Sequence, residues 1–477
     1  MAGAVAYAEG NDPAAAATTL ASINGFGTGA VDSLSTVAGA ASSTVSASPS
    51  ASDPSRIEVD IGVDFPTYLA ALFHATDITV NAHAAANIQP KGQACLLSTT
   101  GDLTIGMGVV GTYFTKCFLA SNATDTTAVT ISNSNSIYVR GITARGGISR
   151  PDCSSGACPS IDPLWGATDW TNGYEYDRPD AAYQVPTTNP FLTVPASSYP
   201  AFADITCPDP AAFGMTYDPP NPPLGANNCP TVPTTVTMVT ASATVPPTQP
   251  DTADGVTSVC GATFSGICAF YNMDVAFSGN VTLQPGTYLF LNSSLTVADG
   301  AQVACSITDG HSISVCGQVV PGVTIVLAGV TDAPSQDAGR LYIEPGASVQ
   351  LTAASTAMFA PASLNGVLFY RDPTNLPADS AGSPSVAIAD NLTNSAGPST
   401  LEGVMFFPGA NVWFAANVSE QPVGNEPNCD VVVAGTLNIG YWAGLTSQGN
   451  SSYYANFSGV CSGVTSLPVV QAPVLVE

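Results

Sequence analysis

The chain has 477 residues, of which 45% are hydrophobic and only 9% are charged, and its 9 Lys and Arg face 35 Asp and Glu, for a formal net charge of -26. So few charges disfavour a helical bundle, since a typical soluble domain carries about a quarter charged residues and exposed helices rely on charged pairs. The acid excess excludes electrostatic binding to nucleic acid or to an anionic membrane, and it predicts neutral, cationic or metal-bearing partners.

The first predicted elements are a helix and a loop. Residues 13–24, PAAAATTLASIN, are Ala-rich and have high helix propensity, and Gly25 and Gly27 then end the helix. Residues from about 36 to 55 are rich in Ser, Ala and Thr, which is typical of a flexible loop.

A strand, a helix and a second strand are predicted next. Residues 57–63 alternate apolar and polar side chains, which is the period of a half-buried strand. In FPTYLAALFHA, residues 65–75, Pro66 stands near a helix start and the spacing of the apolar residues gives one apolar face. Residues 78–84 alternate again. Residues 1–90 are therefore predicted to form an Ala-rich helix plus a small α/β subdomain.

Beyond Gly92 the sequence changes to short β-rich runs separated by Gly, Pro, Asn and Ser, such as VTIVLAG, LYIEPGASVQLTA and DVVVAGTLNIG. Several runs have a Pro-Gly or Asp-Gly turn between two strands, which is typical of the rungs of a solenoid, where each rung buries one face against the next. We predict a mainly β fold, an irregular right-handed parallel β-helix (solenoid) whose first part spans 91–158 and whose main part spans 257–477. A β-sandwich with long insertions is the alternative.

Residues 159–256 interrupt this pattern with many prolines. Proline cannot donate a hydrogen bond to a neighbouring strand, so the interval is predicted to be a Pro-rich extended insertion pinned by Cys207 and Cys229. Four aromatic residues of the insertion either anchor it or line a carbohydrate-binding face: Trp165, Trp170, Tyr174 and Tyr176.

The 12 cysteines form neighbouring couples and contain no CxxC pair, and the chain has only 3 histidines, so the spacing of a structural zinc site is absent. Disulfides formed in an oxidising compartment are therefore expected, which places the protein in the periplasm, at the cell surface or outside the cell. The predicted bridges join Cys95 to Cys117, Cys153 to Cys158, Cys207 to Cys229, Cys260 to Cys268, Cys305 to Cys316, and Cys429 to Cys461.

One segment is a weak candidate for catalysis. In TDGHSIS, residues 308–314, Asp309 stands near His311, which is faintly similar to the Gly-His-Gly element of pectin-cleaving β-helices. No paired-carboxylate or Arg-x-Lys motif accompanies it, and GxSxG, HExxH and phosphate-loop motifs are absent. We therefore predict no enzyme, no catalytic residue, no metal site and no cofactor, with adventitious calcium at Asp- and Asn-rich turns as the most that is allowed.

Several phrases, taken in order, resemble a known family. They are AAAATTLASINGFGTG (14–29), DFPTYLAALFHATDITVNAHAAA (64–86), GQACLL (92–97) with Cys117 further on, GVLFYRD (366–372), MFFPGANVWF (405–414), and CDVVVAGTLNI (429–439) with a closing Cys461. This order resembles the TadG/TadE-like proteins of bacterial tight-adherence (Flp) pilus loci, which typically begin with one membrane helix.

The resemblance implies a noncatalytic accessory protein of pilus assembly or adhesion, whose partners are other surface or pilus proteins and possibly itself. The chain departs from the family pattern in lacking the membrane helix, in its Pro-rich insertion and in its extra cysteines, so a membrane is expected only through an anchor absent from this chain. Two alternatives stay open: a structural subunit of an extracellular filament or sheath, and a carbohydrate-active β-helix enzyme.

Overall fold

The computed structural model describes the following residues: 4, 6, 11–23, 42–51, 56–66, 77–105, 113–115, 117–131, 137–138, 141–149, 161–162, 180–181, 184, 186–189, 207–238, 242–245, 267–284, 286–305, 322–330, 338–354, 364–377, 379, 384–389, 400–415, 429–439, 456–457 and 467–475.

The helices are α1 (Pro13–Ile23) and a 3₁₀ helix (Pro210–Phe213). The strands are β1 (Ser42–Pro49), β2 (Arg56–Pro66), β3 (Asp77–Ser98), β4 (Leu103–Ile105), β5 (Tyr113–Thr115), β6 (Phe118–Ser121), β7 (Val129–Ile131), β8 (Ile137–Tyr138), β9 (Gly141–Ala144), β10 (Ile148–Ser149), β11 (Ile161–Asp162), β12 (Asp180–Ala181), β13 (Met215–Asp218), β14 (Thr234–Met238), β15 (Ser242–Val245), β16 (Ile267–Tyr271), β17 (Met273–Phe277), β18 (Asn280–Leu283), β19 (Gly286–Leu291), β20 (Leu295–Val297), β21 (Gln302–Cys305), β22 (Val323–Ala328), β23 (Leu341–Ile343), β24 (Ser348–Thr352), β25 (Val367–Arg371), β26 (Val386–Ala389), β27 (Thr400–Ala415), β28 (Asp430–Ile439), β29 (Asn456–Phe457) and β30 (Val469–Leu475).

The chain divides into two compact units: Met1–Gly92 with Tyr183–Thr188 and Val469–Glu477, and Gln93–Ala182 with Asn189–Pro468. In the first unit, β1, β2 and β3 form an antiparallel sheet. The helix α1 begins where the Asp12 carboxylate accepts hydrogen bonds from the backbone N–H groups of Ala14 and Ala15, as an N-cap residue does. Ala4, Ile57 and Ala86 form the buried cluster of this unit.

The structure corrects two of the predictions for this unit. The predicted loop 36–55 is wrong for Ser42–Pro49, which form strand β1, because every residue of β1 pairs with the strongly alternating strand β2. Pairing with a regular neighbour thus outweighs a composition of small polar residues. The predicted helix 65–75 starts inside a strand, since β2 continues to Pro66, and its remaining positions lie outside the described residues. The predicted Ala-rich helix is confirmed.

The second unit is built from parallel ladders, so the expected mainly β fold is confirmed. Most strands pair in parallel with the strand three places further along the chain, which is the pairing of a solenoid and not the antiparallel pairing of a β-sandwich. The strands β25, β26 and β27 pair instead with a strand one or two places further on. Ladder A consists of β14, β17, β20, β23, β26, β27, β28, β4, β7 and β10. Ladder B consists of β15, β18, β21, β24 and β27, and a further run consists of β29, β5, β8 and β11. Ladder C consists of β16, β19, β22, β25, β27, β28, β3, β6, β9 and β12. The right-handed winding stays a prediction.

Ladders A and C differ in how fully the residues of their strands are buried. Strands of ladder A alternate buried and half-buried residues, as β7 and β23 do. Strands of ladder C are buried along their whole length, as β19 and β22 are. Parallel strands that are covered on both faces have continuous apolar sequences, which explains why GTYLFL and VTIVLA show no alternation.

The order of the rungs in space differs from their order along the chain. Val432–Ala434 of β28 pair with Leu96–Ser98 of β3, and Leu437–Ile439 pair with Leu103–Ile105 of β4. In the same region β29 pairs with β5. The N-terminal rungs therefore continue the stack beyond the C-terminal ones, and we call this set of pairings the seam.

The interval 159–256, expected to be an extended insertion, contains part of the stack. Strand β14 pairs in parallel with β17, and β15 pairs with β18. β13 adds an antiparallel strand to β14. The prolines do not prevent this, because the sequences of β14 and β15, TTVTM and SATV, contain none.

Candidate functional site

The structure places some of the predicted site residues and leaves others outside the described part of the chain. Cys95 is joined to Cys117, and Cys207 to Cys229, as predicted. Cys268 and Cys429 are also disulfide-bonded. The remaining pairings stay predictions. Asp309, His311 and the four aromatic residues of the insertion lie outside the described residues.

The Cys95–Cys117 bridge joins two consecutive rungs of ladder C next to the seam. Both cysteines are buried, at 0% and 2% exposure, and β3 pairs with β6 beside them. The sequence separation is 22, so closing this loop is expected to stabilise the fold by about 3 kcal/mol in the chain-entropy account. The bridge thus holds the first N-terminal rungs together as one block.

A pair of carboxyl groups, Asp102 and Asp125, lies on consecutive turns of the same block, at positions that no sequence motif marks. Partial burial, a hydrogen bond to Asp125 and the charge of Asp125 raise the pKa of Asp102 to about 6. The backbone N–H and the hydroxyl of Thr127 donate to Asp125 at 2.8 and 3.1 Å, and the backbone hydrogen bond is the main cause of its lowered pKa. The pair therefore shares one proton in mildly acidic solution.

A pH-dependent stability is expected from this pair. Because the folded-state pKa of Asp102 is raised, its contribution to stability is complete below about pH 4 and is lost as the pH rises through about 6. We expect Asp102→Asn to raise the free energy of unfolding at pH 7.5 by about 1 kcal/mol, a value already reduced for solvent screening, and therefore to raise the unfolding temperature. At pH 4 we expect almost no change. Thermal unfolding at both pH values measures this.

The matched control for that experiment is Asp299→Asn, which removes the same charge from an exposed turn. Any gain that comes only from lowering the large net negative charge appears equally in both variants. An equal shift in the two variants would contradict a role for the Asp102–Asp125 pair.

A buried ionic cluster surrounds Arg371, the Arg of the GVLFYRD phrase. Its Nε donates to the Gly339 carbonyl oxygen at 3.0 Å, and its Nη2 lies 3.8 Å from Oδ1 of Asp379. Burial lowers the pKa of Arg371, and the charges of Asp379 and Asp372 oppose that effect. Arg371 and Asp372 are only 3% and 1% exposed, so the cluster is part of the interior.

Asp379 connects this cluster to the neighbouring strands. It accepts hydrogen bonds from the Ser385 hydroxyl and from the Asn411 backbone N–H. Asn411 in turn accepts from the Asn438 side chain at 3.1 Å. The chain of contacts therefore runs from β25 through β27 to β28, at the seam.

Four phrases of the family resemblance lie on consecutive strands of ladder C, and the seam joins the last two of them although they are far apart in sequence. GVLFYRD supplies β25, MFFPGANVWF lies in β27, CDVVVAGTLNI forms β28 and GQACLL lies in β3. In ladder C these strands are consecutive neighbours in that order. Sequence reasoning found the phrases but not their meeting point, because strand pairing between distant segments leaves no local pattern.

The seam corner is closed by hydrogen bonds to one glycine carbonyl. The carbonyl oxygen of Gly435 accepts from the backbone N–H of Gly101 at 2.8 Å and of Thr100 at 3.1 Å. The Ser98 hydroxyl donates to the same oxygen at 2.8 Å. On the other side of the corner, the backbone N–H of Leu437 donates to the Asp102 carbonyl oxygen at 3.0 Å.

The fold buries one possible glycosylation site. Asn292 begins an Asn-Ser-Ser sequon, but it is 1% exposed. Its Oδ1 accepts from the Val330 backbone N–H at 2.8 Å, and its Nδ2 donates to the Tyr271 hydroxyl at 3.4 Å. A glycan on Asn292 is incompatible with the folded rung.

Two features are absent from the described residues, a cluster of metal ligands and a helix that could cross a membrane. No group of three or more His, Cys, Asp or Glu in the described ranges is arranged to hold a metal ion. Among the helices that the structure describes, none has the length and apolar character needed to cross a bilayer.

Comparison with known proteins identifies no family for this chain. No protein-family model matches the chain, and no curated protein matches it. Among solved structures, the competence-associated pilin ComZ from Thermus thermophilus aligns with 92% of this chain and 83% of its own chain, at 10% identity and a TM-score of 0.19. A TM-score this low does not indicate a shared fold, so neither a fold nor a role of this chain follows from the likeness.

Proposed function

We propose that this chain is a noncatalytic, extracytoplasmic protein of a bacterial surface that acts in pilus assembly or adhesion. The observation that carries the proposal is the meeting of the resembling phrases GVLFYRD, MFFPGANVWF, CDVVVAGTLNI and GQACLL on neighbouring strands. Phrases that build one continuous part of a fold support a relationship more strongly than separate phrases do.

The extracytoplasmic location is supported by the disulfides. Cys95–Cys117 and Cys207–Cys229 are formed from buried cysteines, and bridges of this kind persist in oxidising compartments such as the periplasm. The described residues include no free cysteine. We place the protein in the periplasm, at the cell surface or outside the cell.

The noncatalytic role is supported by the structural contacts of three polar groups with shifted pKa values. Asp125 holds the turn at Thr127, Arg371 holds the Gly339 turn, and Glu402 accepts from the Thr352 hydroxyl at 3.0 Å across two strands of ladder B. Groups with such structural duties are poorly placed for chemistry on a substrate. The expected partners are other surface or pilus proteins.

Immunogold electron microscopy of producing cells tests the proposal without assuming a ligand. Label on pili or on the envelope is the expected result. Label confined to the medium, together with cleavage of a polysaccharide by the purified protein, would contradict it and favour a β-helix enzyme.

A second candidate is a structural subunit of an extracellular filament or sheath, which the parallel stack of rungs favours. The two ends of a parallel stack present backbone groups that can pair between chains. Label along a distinct fibre in the same experiment would favour this candidate over pilus assembly.

A further inference from the structure

A hairpin rich in proline lies at one end of ladder A. Residues 219–233, which we call the proline hairpin, connect β13 to β14, the first strand of that ladder. Its two arms are joined by an antiparallel bridge between Leu224 and Pro230. The Thr231 backbone N–H donates to the Pro223 carbonyl oxygen at 2.9 Å, so the arms stay paired beyond that bridge.

The proline hairpin is fixed to its surroundings. The disulfide between Cys207 and Cys229 anchors it, and the Cys207 backbone N–H donates to the Asn227 carbonyl oxygen at 3.1 Å. The Asn272 side chain, which belongs to the turn between β16 and β17, donates to the Pro230 carbonyl oxygen at 3.0 Å. Side chains on the hairpin are therefore held in place before any contact forms, which lowers the entropic cost of an association.

Two large apolar side chains of this hairpin point into solvent. Among the described residues, the exposed large apolar side chains are Val80 at 52%, Leu224 at 47% and Val232 at 47%. Val232 stands two residues after Pro230, the partner of Leu224, so Leu224 and Val232 share one face of the hairpin. A single exposed apolar residue is common on any surface, whereas a neighbouring pair on a fixed hairpin forms an apolar patch of the kind found at contact sites.

The charge distribution identifies the occupant that this patch suits. The chain has a net charge of -26, yet residues 219–250 contain no Asp, Glu, Lys or Arg. Contact between two copies at a typical acidic surface would place carboxylates against carboxylates, and an uncharged hairpin avoids that repulsion. Proline carries no backbone N–H and supplies 6 of the 15 residues of the hairpin, so the contact must be made by side chains and not by strand pairing.

We propose that two copies of this chain associate through their proline hairpins, with Leu224 and Val232 of one copy packed against the same residues of the other. Such a contact uses the same patch on both copies, as in two-fold dimers generally. It closes on itself and therefore yields a dimer. The proposal rests on the exposure, rigidity and neutrality of the hairpin and does not depend on the proposed function.

Sedimentation equilibrium of the full-length chain over a range of concentrations tests this proposal. We expect a dimer whose dissociation constant rises at least about tenfold in Leu224→Asp and in Val232→Asp, because a two-fold contact contains each new carboxylate twice. We also expect added salt to strengthen the dimer or leave it unchanged, since salt screens the repulsion between two acidic copies. A dimer that dissociates as salt is added would instead depend on ion pairs and would overturn the proposal.

The matched control is Val80→Asp, which adds the same charge at an exposed apolar position outside the hairpin. We expect its dissociation constant to stay within about twofold of the original and the circular dichroism of all three variants to be unchanged, because each replaced side chain is exposed. A chain that stays monomeric at every concentration, or an equal effect of Val80→Asp, would overturn the proposal. So would a monomeric chain that floats with phosphatidylcholine vesicles and loses that binding in Leu224→Asp, since a neutral lipid surface would then be the occupant.

Discussion

Replacement of Asp379 by alanine is expected to lower the free energy of unfolding by about 3 kcal/mol. The change removes the carboxylate beside Arg371, and it leaves that guanidinium, which is 3% exposed, with less compensating charge. It also removes the acceptor for the Ser385 hydroxyl and the Asn411 backbone N–H, and unsatisfied buried donors add to the cost. Urea unfolding followed by circular dichroism measures the loss.

Two further variants separate the causes. Asp379→Asn keeps the shape and one acceptor oxygen but removes the charge, so we expect an intermediate loss. Asp299→Ala removes an exposed carboxylate elsewhere and is expected to change stability by less than about 0.5 kcal/mol. If Asp379→Ala were no worse than Asp299→Ala, the ionic cluster would not stabilise the fold.

The sequence predicts which segments form strands better than it predicts which strands pair with each other. Alternation in LYI and VTI indicates half-buried strands, and the unbroken apolar runs GTYLFL and VTIVLA indicate strands covered on both faces. These are local patterns. The pairing of β28 with β3 and β4 is a contact between residues more than 300 positions apart in sequence, and no spacing within either segment specifies it.

The candidate site shows the same limit. Asp102 and Asp125 belong to no motif because their relation is one turn of the stack, close to the separation of 22 that joins Cys95 to Cys117. The spacing between Cys95 and Cys117 therefore corresponds to about one turn of the stack. The strand at Ser42–Pro49 is invisible locally for a different reason, since its small residues form a strand only beside β2.

Replacement of Gly435 by alanine is expected to lower stability by about 3 kcal/mol, because the added methyl group overlaps the neighbouring backbone. An ideal Cβ at Gly435 would lie 2.7 Å from the Gly409 carbonyl carbon and 2.9 Å from the Ala410 nitrogen. Backbone atoms of an adjacent rung cannot move aside as a flexible side chain does. The loss is measured by urea unfolding.

Gly300→Ala provides the control, since that glycine has a φ of +75° but no atom within 4 Å of an added Cβ. It is expected to cost only about 1 kcal/mol of backbone strain. An equal loss in both variants would mean that strain, not close stacking, accounts for the Gly435 effect. Because the Gly435 carbonyl oxygen accepts the hydrogen bonds from Thr100, Gly101 and Ser98 that close the seam corner, any shift of the Gly435 backbone that relieves the overlap also disturbs those hydrogen bonds.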